Sequence, residues 1–251
     1  MEWVQNADGT QGKTWNPVTG CTKISLGCRH CYAERMAKRL AGRYGYPKDN
    51  PFQVTLHPAR LEHPSKWKKP LMIFLCSMSD YFHEEVPENY IFQVLDIIKQ
   101  CQQHTFQILT KRSERMLNIS QKVKQWPSNA WLGVTVEAKK YKTRIDHLKQ
   151  VNASIKFLSC EPLLEDLGEI ELTGIDWVIV GGESGPKSRP ISPKWVTNIR
   201  DQCLAKNVPY FFKQWGGKNK KANGRTLEGK EWTQIPIPPK LPQDKQMEFS
   251  L

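Results

Sequence analysis

Apolar and polar residues alternate along most of the chain in blocks of two kinds. Short runs rich in β-branched and aromatic residues, apolar almost throughout, predict strands that are buried on both faces. These runs are 71-LMIFLC-76, 105-TFQIL-109, 130-AWLGVTV-136, 155-IKFLSC-160, 175-IDWVIVG-181 and 208-VPYFFK-213.

Segments with helical periodicity lie between these runs. In four of them apolar residues recur at the spacing of the buried face of an amphipathic helix. The faces are Tyr32, Met36, Leu40 and Tyr44, with Gly45 as the expected stop; Ile91, Val94, Leu95, Ile98 and Cys101; Tyr141, Ile145 and Leu148; and Trp195, Ile199 and Cys203.

The alternation of strands and helices is typical of βα units and predicts an α/β fold with a parallel sheet. We expect a single-domain β/α barrel, complete or partial, of about six to seven units over residues 1–215. Residues 216–251 are dominated by Gly, Pro and Lys and are predicted to form an irregular tail.

Composition restricts the class of protein. The chain of 251 residues has a net charge of +12, which favours an anionic partner, most simply nucleic acid. Its seven cysteines are an odd number with one cluster, which does not match a disulfide framework. No apolar run reaches the ~20 residues of a membrane span, and the segment 1–15 lacks the features of a secretory signal. The sequence therefore predicts a cytoplasmic protein without membrane contact.

Compact polar groups follow the predicted strands. Because the carboxyl ends of parallel strands share one rim, where the active site of such folds lies, these groups are expected to meet in one pocket. Helix capping accounts for Ser79 or Ser184, but it accounts poorly for glutamates that directly follow apolar strands. The groups are Ser77, Ser79 and Asp80; Thr110, Lys111 and Arg112; Thr135 and Glu137; Ser159 and Glu161; Glu183 and Ser184; and Lys213, Gln214 and Trp215.

Three cysteines, Cys21, Cys28 and Cys31, lie within eleven residues in 20-GCTKISLGCRHCYAERMAKRL-40. A zinc site could add His30 or a distant residue as its fourth ligand, but His30 adjoins Cys31 and the second half of a zinc module is missing. A catalytic thiol needs a single activated cysteine and a base, and it does not explain three cysteines. Three thiolates suit an iron–sulfur cube that leaves one iron open to substrate or cofactor.

Two further cysteines, Cys76 and Cys160, end predicted strands and therefore lie near the same rim. A thiolate from either one on the fourth iron would close the cluster. We expect both to be small core residues instead, because free cysteine is often buried.

The motifs resemble those of two known groups of proteins. A C-x-x-C pair at a helix start, with a third cysteine upstream, resembles the radical S-adenosylmethionine (SAM) superfamily, although the spacing here is C-x6-C-x2-C rather than C-x3-C-x2-C. The likeness is narrower to the phage Gp37/Gp68-type three-Cys-motif family and extends over about residues 15–216. It is carried by 15-WNPVTGCTKISLGCRHCYAERMAKR-39, FLCSMSD, ILTKR, WLGVTVE, FLSCEPLLE and VGGESGPKSRP.

The resemblance implies a radical SAM enzyme. Cys21, Cys28 and Cys31 would hold a 4Fe-4S cluster whose electron cleaves S-adenosyl-L-methionine and produces a 5′-deoxyadenosyl radical. An electron donor of the flavodoxin or ferredoxin type is then an expected partner, and a companion protein is an additional candidate. The residues implied to bind the cofactor are His30, Ser77, Ser79, Asp80, Thr135, Glu137, Gly181, Gly182 and Glu183.

The positive charge suggests that the substrate is a nucleic acid, which the enzyme modifies or repairs. The residues expected along its path are Lys111, Arg112, Glu161, Arg189 and Lys213. A non-enzymatic nucleic-acid-binding protein with a structural or redox-sensing cluster is the main alternative. SAM-dependent chemistry on a protein or a small molecule is a third possibility, because charge alone does not identify a substrate.

Overall fold

A curled, all-parallel sheet of seven strands forms a half-barrel in the computed structural model, which describes residues 3–236. The strand order is β1-β4-β5-β6-β7-β8-β9, and each strand pairs in parallel with its neighbours. This confirms the predicted α/β fold with a partial barrel. The strands are β1 (Lys13–Trp15), β4 (Met72–Leu75), β5 (Thr105–Thr110), β6 (Ala130–Thr135), β7 (Lys156–Cys160), β8 (Trp177–Gly181) and β9 (Tyr210–Gln214).

All six predicted strands are present, with ends that differ from the predicted bounds by at most two residues. The sheet also contains β1, which the sequence analysis did not predict because its exposed Lys13 and Thr14 give it no apolar run. Four more strands lie outside the large sheet in two antiparallel pairs. These pairs are β2 (Val18–Thr19) with β3 (Thr55–Leu56), and β10 (Thr226–Leu227) with β11 (Lys230–Glu231).

Six α-helices accompany the strands in the described part of the chain. The four predicted helices are confirmed, and two others, of nine and four residues, were not predicted. The helices are α1 (Tyr32–Arg39), α2 (Glu88–Gln100), α3 (Ser113–Gln121), α4 (Thr143–Lys149), α5 (Pro193–Ala205) and α6 (Lys220–Asn223).

The predicted buried face of α1 is correct for Met36 and Leu40, which pack against a small core cluster, and wrong for its two tyrosines. Tyr32 and Tyr44 are exposed, and α1 ends at Arg39, before the expected stop. The residues that α1 buries are Ala33 and Ala37. Small side chains allow a helix to approach its neighbours closely, and these alanines pack in one cluster with Tyr46 and Met78. Two alanines give a weaker periodic signal than the larger residues on the other face, which explains the error.

The two faces of the sheet are packed differently. Side chains alternate between the faces along each strand, so one face carries Ile108, Leu132 and Leu158 into the main core beneath the helices. The concave face carries a second cluster of mainly aromatic residues: Phe74, Trp131, Phe157, Trp177 and Phe211, closed by Trp3. The ring centroid of Trp3 lies 5.0 Å from that of Phe74 and 5.9 Å from that of Trp177. The aromatic cluster therefore fills the amino-terminal part of the half-barrel.

The first part of the predicted tail packs against the domain. Thr233 forms an antiparallel bridge with Phe211 of β9, and Trp232 packs against the main core. Residues 237–251 of the predicted tail lie outside the described residues. Among residues 3–236, none of the helices has both the length and the apolar character needed to span a membrane.

His57, which directly follows β3, is a histidine whose protonation should destabilise the fold. The Thr19 hydroxyl and His57 Nε2 are 2.8 Å apart, and burial, followed by the nearby Arg60 charge, lowers the pKa of His57 to about 4. The ordinary value is 6.5, so between pH 6.5 and 4 the unfolded state binds a proton that the folded state does not.

We therefore expect the free energy of unfolding to fall as the pH decreases from about 6.5 to 4, and to fall less in His57→Gln. Urea unfolding of both proteins across this range measures the difference. Parallel pH profiles would contradict the assignment.

Candidate functional site

A loop that contains the three cysteines lies over the carboxyl-terminal rim of the half-barrel. We call residues 20–31 the cysteine loop. Cys21, Cys28 and Cys31 are free thiols and are half-buried. The loop begins at β2, where the Gly20 N–H donates to the Met78 carbonyl and the Cys21 N–H donates to the Phe52 carbonyl, both over 3.0 Å. The entry of the loop is therefore fixed by backbone hydrogen bonds.

The first anchor of the loop is Arg112, which follows β5. Its Nη2 donates to the Thr22 hydroxyl over 2.9 Å and to the Thr22 carbonyl over 3.2 Å, and its Nη1 lies 3.5 Å from the Cys21 sulfur. Asp80 and Glu84 pair with the same guanidinium at 3.3 and 2.8 Å. Burial and nearby Asp80 raise the pKa of the Cys21 thiol to about 11, against the opposing effect of Arg112.

Asp80 has its own role at the end of β4. Its buried carboxylate accepts hydrogen bonds from the Thr110 hydroxyl over 2.7 Å and from the Lys111 N–H over 3.0 Å, in addition to the Arg112 contact. Asp80 thus joins the ends of β4 and β5, and through Arg112 it supports the cysteine loop.

The second anchor is Glu137, which lies two residues beyond the end of β6 and is fully buried. Its carboxylate pairs with Arg144 of α4 at 2.8 Å and accepts a hydrogen bond from the Ser25 hydroxyl. A Cβ at Gly27 would lie 2.6 Å from Glu137 Oε1, so only glycine lets the loop approach this carboxylate. Beside it, the Leu26 N–H donates to the Tyr141 hydroxyl over 2.9 Å.

The third anchor is Glu183, the acidic residue of the sequence 181-GGE-183 at the end of β8, which we call the GGE motif. It accepts hydrogen bonds from the N–H, Nε and Nη2 of Arg189 and contacts His30 Nδ1, with distances of 2.6 to 3.0 Å. Burial by itself would raise the pKa of Glu183, but the Arg189 and His30 contacts outweigh it and hold the pKa at about 2. Arg189 also donates to the Leu26 carbonyl over 3.0 Å.

Glu183 has little capacity left for a ligand. A carboxylate offers about four acceptor positions; three donor contacts lie on Oε2 of Glu183 and one on Oε1, which leaves about one position on Oε1 free. In this structure Glu183 and Glu137 therefore position the cysteine loop. Their predicted contacts with a cofactor, and that of His30, remain predictions.

A polar region lies on the concave face beneath the loop. Thr135 of β6 and Ser159 of β7 are register neighbours and are about 1% exposed. The Thr135 hydroxyl has no hydrogen-bond partner among the described residues, which is rare for a buried polar group. Glu161, two residues beyond Ser159, forms an ion pair with Lys213 of β9. These four side chains are the polar groups best placed to receive a ligand.

The two glycines of the GGE motif have different surroundings. A Cβ at Gly181 would make ordinary contacts, 3.4 Å from the Glu161 carboxyl carbon, whereas a Cβ at Gly182 would lie 2.1 Å from the Trp215 carbonyl oxygen. Gly182 thus permits close approach of the chain after β9. At Gly182 the absence of a side chain therefore serves a close contact between two segments of backbone.

Three predicted site residues remain to be described, namely Ser77, Ser79 and Lys111. The Ser77 hydroxyl donates to the Asn16 side chain over 3.2 Å, and Ser79 forms an isolated bridge with Gly20 at the loop entry. The Lys111 side chain is half-buried. The structure therefore brings Ser79 to the cysteine loop and leaves Ser77 beside the chain after β1.

Cys76 and Cys160 are both buried in the main core, as expected. Cys160 pairs in register with Val180 and therefore lies on the helix-covered face of the sheet, opposite to Ser159 and Glu161. Burial raises the pKa of the Cys76 thiol to about 12. Cys101 and Cys203 are buried in the same core.

Two open cavities lie near the ends of the sheet. One of about 320 Å³ is lined by Ser188, Arg189, Ile191 and Trp215 and adjoins the third anchor. The other, of about 420 Å³, lies between the segment 172–176 and the segment 206–209, at the amino-terminal ends of β8 and β9. Only the smaller cavity adjoins the candidate site.

The donor set fits an iron–sulfur cluster in number and type, since cysteine thiolates are the usual ligands of such clusters. Among residues 3–236, no three His, Cys, Asp or Glu side chains converge around the position of one metal ion. A single zinc ion needs such convergence, whereas the thiolates of a cluster bind different irons. The described residues thus form no preassembled single-ion site, and the cluster remains a prediction.

Several residues of the site were not predicted. Ser25 of the loop donates to Glu137 at the rim, and the Tyr141 hydroxyl accepts from the Leu26 N–H. Arg144 forms an ion pair with Glu137. His83, which is 2% exposed, lies 2.9 Å from the Thr22 hydroxyl through its Nε2. Only the cluster 83-HEE-85 after β4 gave a sequence signal, since the other residues are single polar positions within helices or loops.

The fold and the site define an α/β half-barrel protein with a three-cysteine loop held at its carboxyl-terminal rim. The chain belongs to DUF5131, a family of proteins of unknown function, whose model matches residues 2–236. Neither a curated protein nor a solved structure matches the chain. The likeness to the Gp37/Gp68-type family and to the radical SAM superfamily stays a prediction.

Gly181 and Gly182 are adjacent, so a matched pair of alanine substitutions tests how tightly the chain is packed at the rim. We expect Gly182→Ala to lower the free energy of unfolding by about 3 kcal/mol or more, because its methyl group would overlap the Trp215 carbonyl. Gly181→Ala should remain within about 1 kcal/mol of the wild type. Urea unfolding measures both variants, and equal losses would contradict the distinction.

Proposed function

We propose that this protein is an iron–sulfur enzyme of the radical SAM type, in which Cys21, Cys28 and Cys31 hold the cluster. One observation carries the proposal: three free, half-buried thiols lie on one loop, and rim residues hold that loop at the active-site end of a parallel half-barrel. Structural zinc sites are closed by four ligands, and a three-thiolate set instead suits a metal centre with an open position.

The other cysteines support a set of three. Cys160 faces the core on the helix-covered side, and Cys101 and Cys203 are buried with it. Cys76 lies closest to the loop, but it too is buried in the main core, with Trp15, Val18 and Tyr81 in the same cluster. The burial of these four thiols supports a cluster with three protein ligands, although Cys76 is near enough to Cys21 for their charges to interact.

Arg112 contributes to the environment of the cluster ligands. A guanidinium N–H that points at the Cys21 sulfur stabilises negative charge on it, and hydrogen bonds to cluster sulfurs tune the reduction potential. Its pairing with Asp80 and Glu84 keeps this donor in place. Arg112 is thus a positioning residue for Cys21.

The concave region supplies polar contacts for a bound molecule. The unpartnered Thr135 hydroxyl can donate or accept a hydrogen bond, and the Glu161–Lys213 pair offers an acceptor and a cation to an amino acid or ribose group. When bound, a cluster with an open iron supplies the electron for reductive cleavage of S-adenosylmethionine. The loop above this region limits access of water, which protects reactive species.

Substitution of individual cysteines tests the ligand set. After anaerobic reconstitution with iron and sulfide, we expect Cys21→Ser, Cys28→Ser and Cys31→Ser each to lose most of the bound iron. Cys76→Ala and Cys160→Ala should retain about four irons per chain, as expected for a 4Fe-4S cluster. Iron and sulfide analysis measures both groups. Loss of the cluster in either alanine variant would show that the site is closed.

The activity itself is tested by incubating the reconstituted protein with S-adenosylmethionine and dithionite and measuring 5′-deoxyadenosine by chromatography. We expect its formation to depend on the three cysteines of the loop. A stable cluster without 5′-deoxyadenosine would favour the alternative of a non-enzymatic protein with a structural or redox-sensing cluster. Zinc at one ion per chain in anaerobically purified protein would refute the proposal.

A further inference from the structure

An unusual outer surface flanks the cysteine loop. Five large hydrophobic side chains are exposed in the described part of the chain, and four of them lie between residues 24 and 44. We call this surface the loop face. It consists of Ile24, Leu26, Arg29, Tyr32, Arg39, Arg43, Tyr44 and Lys48. Tyr32 is 60% and Tyr44 75% exposed, so the rings contribute little to the core.

The same segment contains much of the positive charge of the protein. Residues 21–48 include seven Lys and Arg side chains and one acidic residue, Glu34, which gives +6 of the total of +12. Glu34 pairs with Lys23 and Lys38. Within residues 3–236, no carboxylate forms an ion pair with the cations of the loop face, which are Arg29, Arg39, Arg43 and Lys48.

The rings and cations are arranged along one side of α1. Tyr32 and Arg39 are seven positions apart, about two helical turns, and therefore share a face. Arg43 and Tyr44 continue from the end of the helix, and Arg29 precedes its start. Exposed aromatic and cationic side chains thus occur together along the chain from the cysteine loop to the turn after α1.

Tyr44 lies with Gly45 at the centre of a tight turn, which is closed by a hydrogen bond from the Tyr46 N–H to the Arg43 carbonyl over 2.9 Å. Its φ of 51° lies in the left-handed region, which is unfavourable for a residue with a Cβ, and the Arg60 side chain donates to its carbonyl. The neighbouring glycines, Gly42 and Gly45, adopt positive φ without this strain. Because glycine would close this turn without strain, the turn itself does not require a tyrosine at position 44, and the ring is 75% exposed.

We propose that the loop face binds single-stranded nucleic acid, with bases stacked on Tyr32 and Tyr44 and phosphates contacted by Arg29, Arg39 and Arg43. Aromatic platforms beside unpaired cations are the usual means of binding single strands, because every base has a face that can stack. Duplex bases are already stacked and cannot use protruding rings in this way. The role of this strand as substrate rests on the proposed function, since the face borders the cysteine loop.

This assignment differs from the predicted nucleic-acid path along the rim. Arg112, Arg189 and Lys213 are each engaged with carboxylates, so they have little free charge for phosphates. The loop face offers cations that are not neutralised in this way. It is therefore the better electrostatic match for a polyanion.

Fluorescence anisotropy with labelled single-stranded DNA and RNA oligonucleotides tests the stacking contact. Tyr44→Gly removes the ring and relieves the left-handed strain, so we expect binding to weaken by about five- to a hundredfold without loss of thermal stability. Tyr44→Phe should bind like the wild type. Leu204→Ala, at the exposed hydrophobic residue outside the face, is the control. Unchanged binding by Tyr44→Gly would overturn the proposal.

Salt titration tests the phosphate contacts. The pair Arg39→Gln and Arg43→Gln should reduce the slope of log K against log salt by about 0.7 for each lost contact. The pair Lys99→Gln and Lys206→Gln changes the net charge equally at exposed positions on other helices and should leave the slope unchanged. Equal effects of the two pairs would show that only overall charge matters and would overturn the proposal.

Iron analysis and light scattering of the same samples separate the possible failures. A protein that holds its cluster but does not bind oligonucleotides overturns this inference alone. Binding that survives in a protein unable to hold iron supports the loop face and refutes the proposed function. Self-association that Tyr44→Gly abolishes, in the absence of oligonucleotide binding, would assign the face to a second copy of the chain.

Discussion

Three buried carboxylates at strand ends determine the position of the cysteine loop. Asp80, Glu137 and Glu183 each follow an apolar strand and are removed from water by the fold, so each must be neutralised or hydrogen-bonded. The partners of these carboxylates either belong to the loop or bind to it. Arg112, the partner of Asp80, donates a hydrogen bond to Thr22 of the loop. Ser25 of the loop donates to Glu137, and His30 of the loop contacts Glu183. The electrostatic requirement of the rim thus fixes the three thiols above the half-barrel, and the proposed chemistry depends on that placement.

The sequence predicted those parts of the fold that depend on local composition. Six strands were evident as apolar runs, and the rim followed from the general geometry of parallel sheets. β1 was missed because a three-residue edge strand with polar side chains has no periodic signal. The buried face of α1 was predicted only in part, because alanine burial leaves little trace in a pattern of large apolar residues. Burial of Ala33 and Ala37 depends on which segments come together in the fold, which the sequence pattern does not reveal.

Within the candidate site, the kind of residue could be predicted but its role could not. The glutamates at the strand ends were identified, yet their partners are as far apart in sequence as Ser25 and Glu137, and no local pattern links such residues. Gly182 looked like a ligand-binding glycine and instead permits the approach of Trp215. Thr135 and Ser79 are predicted cofactor residues whose hydroxyls are buried and unpartnered within the described chain, and Ser159, the register neighbour of Thr135, shares its environment. The rim is therefore divided between residues that support the loop and a smaller concave group available to a ligand.

The most direct test of the central claim is low-temperature EPR spectroscopy of the reconstituted, dithionite-reduced protein with and without S-adenosylmethionine. If three thiolates leave one iron accessible, the reduced protein should show a cluster signal, and S-adenosylmethionine should shift that signal by binding at the open iron. A signal that is identical with and without S-adenosylmethionine would contradict the account. It would indicate that the loop holds a closed cluster and that the rim of the half-barrel serves another purpose.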